Sequence, residues 1–130
     1  MMTIFSKIIA GEIPAYTIAE SELFIAFLDI LPVKKGHVLV VPKIEINKVF
    51  DLPDNYLLAL LVFAKPIAKA VEKAFPCNRV NMLTVGLEVP HAHVHLIPTD
   101  TAADMNLANP KIQLSKAEFE VIKQQIIACL

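Results

Sequence analysis

The sequence has few of the residues that mark a secreted, membrane-anchored or duplex-binding protein. Cysteine occurs only at Cys77 and Cys129, which make neither a disulfide framework nor a C-x-x-C metal knuckle. Charge of one sign is not in excess, because 12 Lys and Arg residues offset 13 Asp and Glu residues and leave a formal net charge of -1. That balance argues against a broad surface for duplex nucleic acid and against a polybasic membrane anchor.

Long hydrophobic runs are also missing. The longest, residues 56–64, has about half the length of a membrane-spanning helix and ends at Lys65. The N-terminal sequence MMTIFSKIIAGEIP lacks the basic start and the long apolar stretch of a signal peptide, and Glu12 interrupts it. We therefore expect no membrane partner and a reducing, cytoplasmic compartment.

What the sequence does contain is apolar residues. Hydrophobic residues make up 55% of the 130 and charged residues 19%, a composition that excludes disorder and favours a well-filled core. No repeat or Ser/Gly linker divides the chain, so we expect one domain over residues 1–130, with a core at 3–98 and a C-terminal extension and helix at 99–130. The apolar surplus predicts a subunit interface on the helix of residues 57–75.

Apolar patterning predicts an α+β fold with a mainly antiparallel sheet. A short helical turn is expected at residues 6–10, and Ser115 with Glu118 forms a capping box for a C-terminal helix. The helix at 57–75 follows a helical period, with Asp51 or Asp54 as its cap, and Pro66 should kink or split it. Five strands are predicted, at residues 16–19, 23–30, 37–41, 79–85 and 91–97.

Three of the four histidines lie within five residues, at His91, His93 and His95. On a strand this spacing places all three on one face, with the intervening apolar residues on the other. Three interpretations are open. The histidines form a solvated face; they bind zinc, with His37 or Glu45 completing the ligand set; or one is a nucleophile or acid/base that its neighbours orient. Zinc is the less favoured use, and we expect no required cofactor.

The segment His91-Ala92-His93-Val94-His95-Leu96-Ile97 resembles the signature of the histidine triad (HIT) family, in which histidines alternate with apolar residues. Four further blocks are similar to those of the family: IFSKII at 4–9, EIPA at 12–15, AFLDI at 26–30 and GHVLVVPK at 36–43. Together the blocks cover most of residues 3–98.

This resemblance implies an α+β, HIT-like antiparallel sheet of about five strands, a long central helix, a C-terminal helix and a homodimer. It also implies a nucleotide-binding hydrolase that cleaves nucleoside phosphoramidates or related nucleotidyl conjugates at the α-phosphorus, through a nucleotidyl-histidine intermediate. The partner would be a purine nucleoside monophosphate or conjugate. Dinucleoside polyphosphate hydrolysis is one alternative, and a nucleotide-binding regulatory module with little turnover is another.

By the same resemblance, His93 is the nucleophile, His95 contacts the phosphate and leaving group, and His91 and His37 orient the nucleophile. Asp29 would accept hydrogen bonds from the ribose hydroxyls, although an Asp at this place also initiates turns. Four apolar residues would form the base slot, although taken singly each is typical of a core: Ile4, Phe5, Phe27 and Ile30.

The segment before the triad departs from the family pattern. The loop is short, so Asn81 is an uncertain match to the family asparagine, while Gly86 is retained. Leu87 and Glu88 replace residues that would donate hydrogen bonds to phosphate oxygens, which predicts weaker or redirected catalysis. Glu45 stands where many relatives have another histidine. Three lysines near the histidine blocks are candidates to compensate: Lys34, Lys35 and Lys43.

Overall fold

Five antiparallel strands form a single sheet, in the order β1-β2-β3-β5-β4, in a computed structural model that describes residues 2–130. The strands are β1 Thr17–Glu20, β2 Phe24–Leu28, β3 Val38–Pro42, β4 Arg79–Leu83 and β5 Val94–Thr99. The helices are α1 Ile4–Ile9, α2 Asp54–Ala74 and α3 Lys116–Ile127, with 3-10 turns at Val49–Asp51 and Ala102–Met105. The predicted α+β fold is confirmed.

One face of the sheet packs on α2 and α3. Its buried strand residues are Ile18, Phe24, Ala26, Leu28, Val38, Val40, Val94 and Leu96. The helices contribute Leu60, Ala64, Ile67, Ala70, Val71, Phe119, Ile122 and Ile126. This is the main hydrophobic core, and it backs the strands that carry the histidines.

The opposite face of the sheet is covered in part by α1. Phe5 packs there in a second cluster with Ile25, Phe27, Leu39 and Val41. Strands β2 and β3 are thus buried on both faces, which explains why their sequences are continuous apolar runs rather than alternating ones. His95 is paired with Leu39 across β5 and β3, so the α1 face is also the face of the histidines.

The central helix differs from its prediction in two ways. Pro66 does not split α2, which runs unbroken over 21 residues. Pro66 and Val62 are both exposed, so the Val62 carbonyl that loses its hydrogen bond lies on the solvent side, where water can satisfy it. Neither aspartate is the cap, because the N-cap position is Pro53, Asp54 lies in the first helical turn and Asp51 ends a 3-10 turn. In contrast, the predicted capping box of α3 is confirmed.

The prediction placed the start of the last strand, at residue 91, too early. Strand β5 starts at Val94, so His91 and His93 precede it and only His95 lies within it. The β3–β5 ladder ends at the pair Val40 and Val94. Before that point the chain turns to other partners, since the Ala92 N–H donates to the Ile46 carbonyl at 2.7 Å. Within residues 2–130, no helix combines the length and the apolar character needed to cross a membrane.

Candidate active site

All four histidines are buried and lie close to one another. Their side chains are 1% to 7% exposed, so the interpretation as a solvated face is wrong. The ring centroid of His95 lies 5.1 Å from that of His93 and 5.1 Å from that of His37. Each imidazole has a hydrogen-bond partner, as buried polar groups require, and those partners fix where the protons are.

His93 is held in one tautomer by its own neighbour in sequence. Its Nδ1 lies 2.7 Å from the backbone carbonyl oxygen of His91, which can only accept, so Nδ1 carries the proton. The Nε2 atom therefore has a free lone pair. Burial lowers the pKa of His93, although the bond to the His91 carbonyl opposes this, so the ring is neutral at pH 7. A neutral imidazole with its lone pair on a fixed atom needs no further base to act as a nucleophile.

His37 and His95 form a directly hydrogen-bonded pair. The Val33 N–H donates to His37 Nδ1 at 3.2 Å, so the proton of His37 is on Nε2. His37 Nε2 lies 2.8 Å from His95 Nδ1 and donates to it, which leaves the proton of His95 on its own Nε2. His95 therefore presents a hydrogen-bond donor, the group that a phosphate oxygen requires.

Both rings of this pair are neutral at pH 7. Burial lowers the pKa of His37 to about 4, against the opposing effect of Asp29. Burial, followed by the charges of His37, His93 and Lys111, lowers the pKa of His95 to about 3. Protonation of His37 at Nδ1 would lose the bond from the Val33 N–H, and protonation of His95 at Nδ1 would lose the ring-to-ring bond. In either case the added charge would be poorly hydrated.

The position of Asp29 is compatible with both functions considered from the sequence, turn initiation and ribose binding. Its Oδ1 accepts from the Leu31 N–H at 2.9 Å, which is the turn-initiating role. Its Oδ2 lies 3.5 Å from His37 Nε2, at the edge of the histidine cluster. The backbone places it there, because the Asp29 N–H donates to the His37 carbonyl at 3.0 Å. One carboxylate oxygen thus faces the cluster.

The four apolar residues of the expected base slot divide into two pairs. Phe5 and Phe27 are buried and meet edge to face at 5.6 Å, and the Phe5 ring lies 4.9 Å from that of His93. Ile4 and Ile30 are 46% and 61% exposed. The aromatic pair thus packs beside His93, while the two isoleucines leave apolar surface exposed.

The structure does not bring Asn81 against the triad. Its side-chain amide donates to Thr99 Oγ1 at 2.7 Å, and the register places Leu83, not Asn81, opposite His95. Gly86 has φ of +67° with no atom within 4 Å of an added Cβ, so its backbone conformation, rather than a close contact, favours glycine. Leu87 and Glu88 are exposed in the same loop.

One contact of the site was not predicted. The Thr84 hydroxyl donates to the His93 backbone carbonyl at 2.8 Å and so holds the His93 segment to the end of β4. Two of the lysines expected to compensate are engaged elsewhere, since Lys34 pairs with Asp104 at 3.2 Å and Lys43 with Glu20 at 3.1 Å.

The residues that could bind a metal differ from the set expected from the sequence, which was the triad with His37 or Glu45. Among the described residues, Asp29, His37 and His95 have potential ligand atoms within 4.8 Å of one another. Two nitrogens on a tetrahedral zinc ion would stand about 3.3 Å apart, given bonds of roughly 2.0–2.1 Å. The 2.8 Å between His37 Nε2 and His95 Nδ1 is instead the spacing of a hydrogen-bonded pair. In this arrangement the spacing of the two rings fits a shared hydrogen bond rather than a shared zinc ion.

The fold and the site together define an α+β domain built around a buried histidine cluster, in which one imidazole with a free lone pair lies beside an aromatic pair. Residues 10–102 match the family model of the HIT domain. The chain belongs to the HIT family, as its sequence motifs predict.

Several relatives cover most of this chain. The adenosine 5'-monophosphoramidase of Schizosaccharomyces pombe is 34% identical over 132 residues, which cover 97% of this chain and 96% of that protein. The adenosine 5'-monophosphoramidase of Saccharomyces cerevisiae is 42% identical over 73% of this chain, and the match spans 61% of that longer protein. Among solved structures, a Hit-like protein from Bartonella henselae, 32% identical, superimposes with a TM-score of 0.86 over 98% of this chain and 96% of its own.

Proposed function

We propose that this protein is a HIT-type nucleotidyl hydrolase that cleaves purine nucleoside phosphoramidates or related nucleotidyl conjugates at the α-phosphorus. The observation that carries the proposal is the tautomer of His93, whose Nδ1–H is committed to the His91 carbonyl and whose Nε2 lone pair is free. Two fungal relatives named as adenosine 5'-monophosphoramidases support this substrate class. A relative from Arabidopsis thaliana, 26% identical, is named as an adenylylsulfatase, which supports nucleotidyl conjugates as a wider substrate class.

In the proposed reaction, the Nε2 lone pair of His93 attacks the α-phosphorus. A new N–P bond forms, the bond from phosphorus to the amine or other leaving group breaks, and the leaving group departs with its electron pair and takes a proton from solvent. Water then attacks the nucleotidyl-histidine, breaks the N–P bond and releases the nucleoside monophosphate. The His91 carbonyl, 2.7 Å from Nδ1, stabilises the positive charge that the ring carries in the intermediate.

The remaining residues bind and orient the nucleotide in this proposal. His95 donates from Nε2 to a phosphate oxygen, and His37 holds it in that tautomer. Asp29 accepts from the ribose hydroxyls through its Oδ2. Phe5 and Phe27 form the floor of the base slot, with Ile4 and Ile30 as its open sides. Asn81 and Gly86 are assigned to the phosphate side only by resemblance, and the Asn81 bond to Thr99 would have to break first.

A second candidate function is nucleotide binding with little turnover. Its specific support is the exposed pair Leu87 and Glu88, because leucine cannot donate a hydrogen bond to phosphate and a glutamate beside phosphate is repulsive. The loss of one such donor costs about 3 kcal/mol of transition-state stabilisation, which slows turnover by roughly a hundredfold. Dinucleoside polyphosphate hydrolysis uses the same site and differs only in the leaving group.

We also propose a homodimer in the cytoplasm. Helix α2 exposes an apolar stripe of Leu58 with Leu61 and Val62 one turn later, and the three are 57% to 78% exposed. Strand β4 is the edge strand next to β5 and has unpaired backbone groups that a second copy can meet. A stripe and an open edge of this kind fit a partner of the same chain.

The test of the proposed function compares the wild type with His93→Ala on three substrates: adenosine 5'-phosphoramidate, adenylyl sulfate and a diadenosine polyphosphate. We expect turnover by the wild type on at least the first, and a loss of at least a thousandfold in the variant, because no other ring presents a free lone pair next to the aromatic pair. Equal turnover in the two proteins would rule out His93 as nucleophile. Tight AMP binding by calorimetry with no product from any substrate would favour the second candidate.

A further inference from the structure

We infer that Glu45, acting through the hydroxyls of Ser6 and Thr3, is a positioning residue for the histidine triad. The sequence marks Glu45 as a departure from the family pattern and, in one interpretation, as a zinc ligand, but it gives Glu45 no part in orienting the triad. The inference rests on the proposed function for its kinetic consequences, while its structural part concerns the ligand-free protein alone.

Glu45 holds the first turn of α1. One of its carboxylate oxygens, Oε1, accepts from the Thr3 backbone N–H at 3.1 Å and from the Ser6 hydroxyl at 2.5 Å. These two bonds, the Ser6 bond first, hold the pKa of Glu45 below its ordinary value, so it is ionised and can only accept at neutral pH. The single hydroxyl proton of Ser6 is therefore committed to Glu45.

The direction of the remaining bonds follows from this commitment. The Thr3 hydroxyl oxygen accepts from the Ser6 backbone N–H at 3.0 Å, as an N-cap does, and lies 2.9 Å from His91 Nδ1. His91 Nε2 lies 2.9 Å from the Pro42 carbonyl and must donate to it, so in the neutral ring His91 Nδ1 carries no proton and accepts. The Thr3 hydroxyl has two acceptors within reach, His91 Nδ1 at 2.9 Å and Ser6 Oγ at 3.0 Å. We assign its proton to His91 Nδ1, because the other hydroxyl near that buried nitrogen, Ser6, lies 3.4 Å away and donates to Glu45.

This network fixes His93 from two sides. The backbone carbonyl of His91 receives the His93 Nδ1–H at 2.7 Å, so the orientation of His91 bears directly on the nucleophile. Helix α1 also carries Phe5, whose ring meets those of His93 at 4.9 Å and His91 at 5.9 Å. With only six residues, α1 cannot hold its own position in water. The packing of Phe5 on the sheet, together with the bonds of Thr3 and Ser6 to Glu45 and His91, supplies that position.

The variants that test the network are Thr3→Val, which keeps the shape of the side chain, Thr3→Ser, which keeps the hydroxyl, and Glu45→Ala. Glu118→Ala is the matched control, because Glu118 also accepts from an N-cap backbone N–H, that of Ser115, in the C-terminal helix. The direct readout is the 15N resonance of His91 Nδ1 in the ligand-free protein. We expect it to move toward the value of an unbonded imine nitrogen in Thr3→Val, and to stay at the wild-type position in Thr3→Ser and Glu118→Ala.

The kinetic readout separates positioning from folding. We expect kcat on adenosine 5'-phosphoramidate to fall about tenfold in Thr3→Val and a few-fold in Glu45→Ala, with KM changed less than twofold, as for the loss of one hydrogen bond that orients a catalytic group. The double variant should lose no more than Thr3→Val alone, since both changes break one network. Additive losses, or an unmoved His91 resonance with unchanged kcat, would overturn the inference. If the His91 resonance shifts in Thr3→Val but the wild type shows no turnover, the network is supported and the proposed function is contradicted.

Discussion

Acid should destabilise this protein between pH 7 and pH 5, through its buried neutral histidines. The pKa of His37 falls from an ordinary 6.5 to about 4 on folding. A histidine with a lowered pKa binds fewer protons in the folded than in the unfolded chain, so its stabilising effect is complete above pH 6.5 and is lost as the pH falls toward 4. From pH 7 to pH 5 this amounts to about 2 kcal/mol for His37 alone.

His95 adds to this loss, because burial lowers its pKa to about 3. The two rings share a hydrogen bond and do not titrate independently, so about 4 kcal/mol is the upper bound for the pair. That is a large part of the 5–15 kcal/mol by which a small domain is stable. Asp104 and Glu118 also have lowered pKa values, but carboxylates lose their charge below about pH 4.5 and contribute little in this window.

The assay is urea unfolding, followed by circular dichroism at pH 7, 6 and 5, on the wild type and on His37→Gln. We expect the free energy of unfolding of the wild type to fall by about 2–4 kcal/mol over this range. The variant should be less stable at pH 7 but should lose clearly less on acidification, because one of the buried rings with a lowered pKa is gone. A wild-type stability that is flat or rises from pH 7 to pH 5 would refute the assignment of both rings as buried and neutral.

Two further predictions concern the fold and the assembly. Gly36→Ala should lower stability by more than Gly11→Ala, because both glycines have φ above +70° but only at Gly36 would the new Cβ lie 2.8 Å from the ring of Phe75. Thermal melts compare the two variants, with about 1–2 kcal/mol expected from backbone strain at Gly11. Equal losses in the two variants would contradict this prediction. Leu61→Asp should convert the proposed dimer to a monomer in sedimentation, with little change in melting temperature. Val121→Asp changes an equally exposed residue of α3 and should leave the dimer intact. A wild type that sediments as a monomer at micromolar concentration would contradict the proposed interface.

Sequence patterning predicted the elements of this fold well because they depend on local periodicity. The capping box at Ser115 and the five apolar strand segments are examples. The start of β5 was not predictable in the same way, because it is set by where the chain leaves β3, through the bond from Ala92 to Ile46. The unbroken passage of α2 through Pro66 depends likewise on which side of the helix meets solvent.

The residues of the site were predicted from the sequence, but the hydrogen bonds between them were not. The spacing of the triad and the family motifs brought out His93, His95 and Asp29, which the fold gathers at one place. The His93 proton is set locally, by the carbonyl of His91 two residues away. The contacts that set the protons of His95 and His91 come from His37 and Thr3, which are 58 and 88 positions away, and no short pattern encodes a hydrogen bond of that separation. Thr84 was missed because a single threonine after a strand gives no signal of its bond to the His93 carbonyl.

The central claim is that His93 Nε2 forms a covalent bond to the nucleotide during turnover. Its most direct test is rapid quenching of the wild type with adenosine 5'-phosphoramidate at alkaline pH, followed by peptide mass spectrometry. We predict an adenylyl group on the peptide of residues 80–111, localised by fragmentation to His93, and none in His93→Ala. An adduct on another residue, or AMP formed at full rate by His93→Ala, would contradict the account.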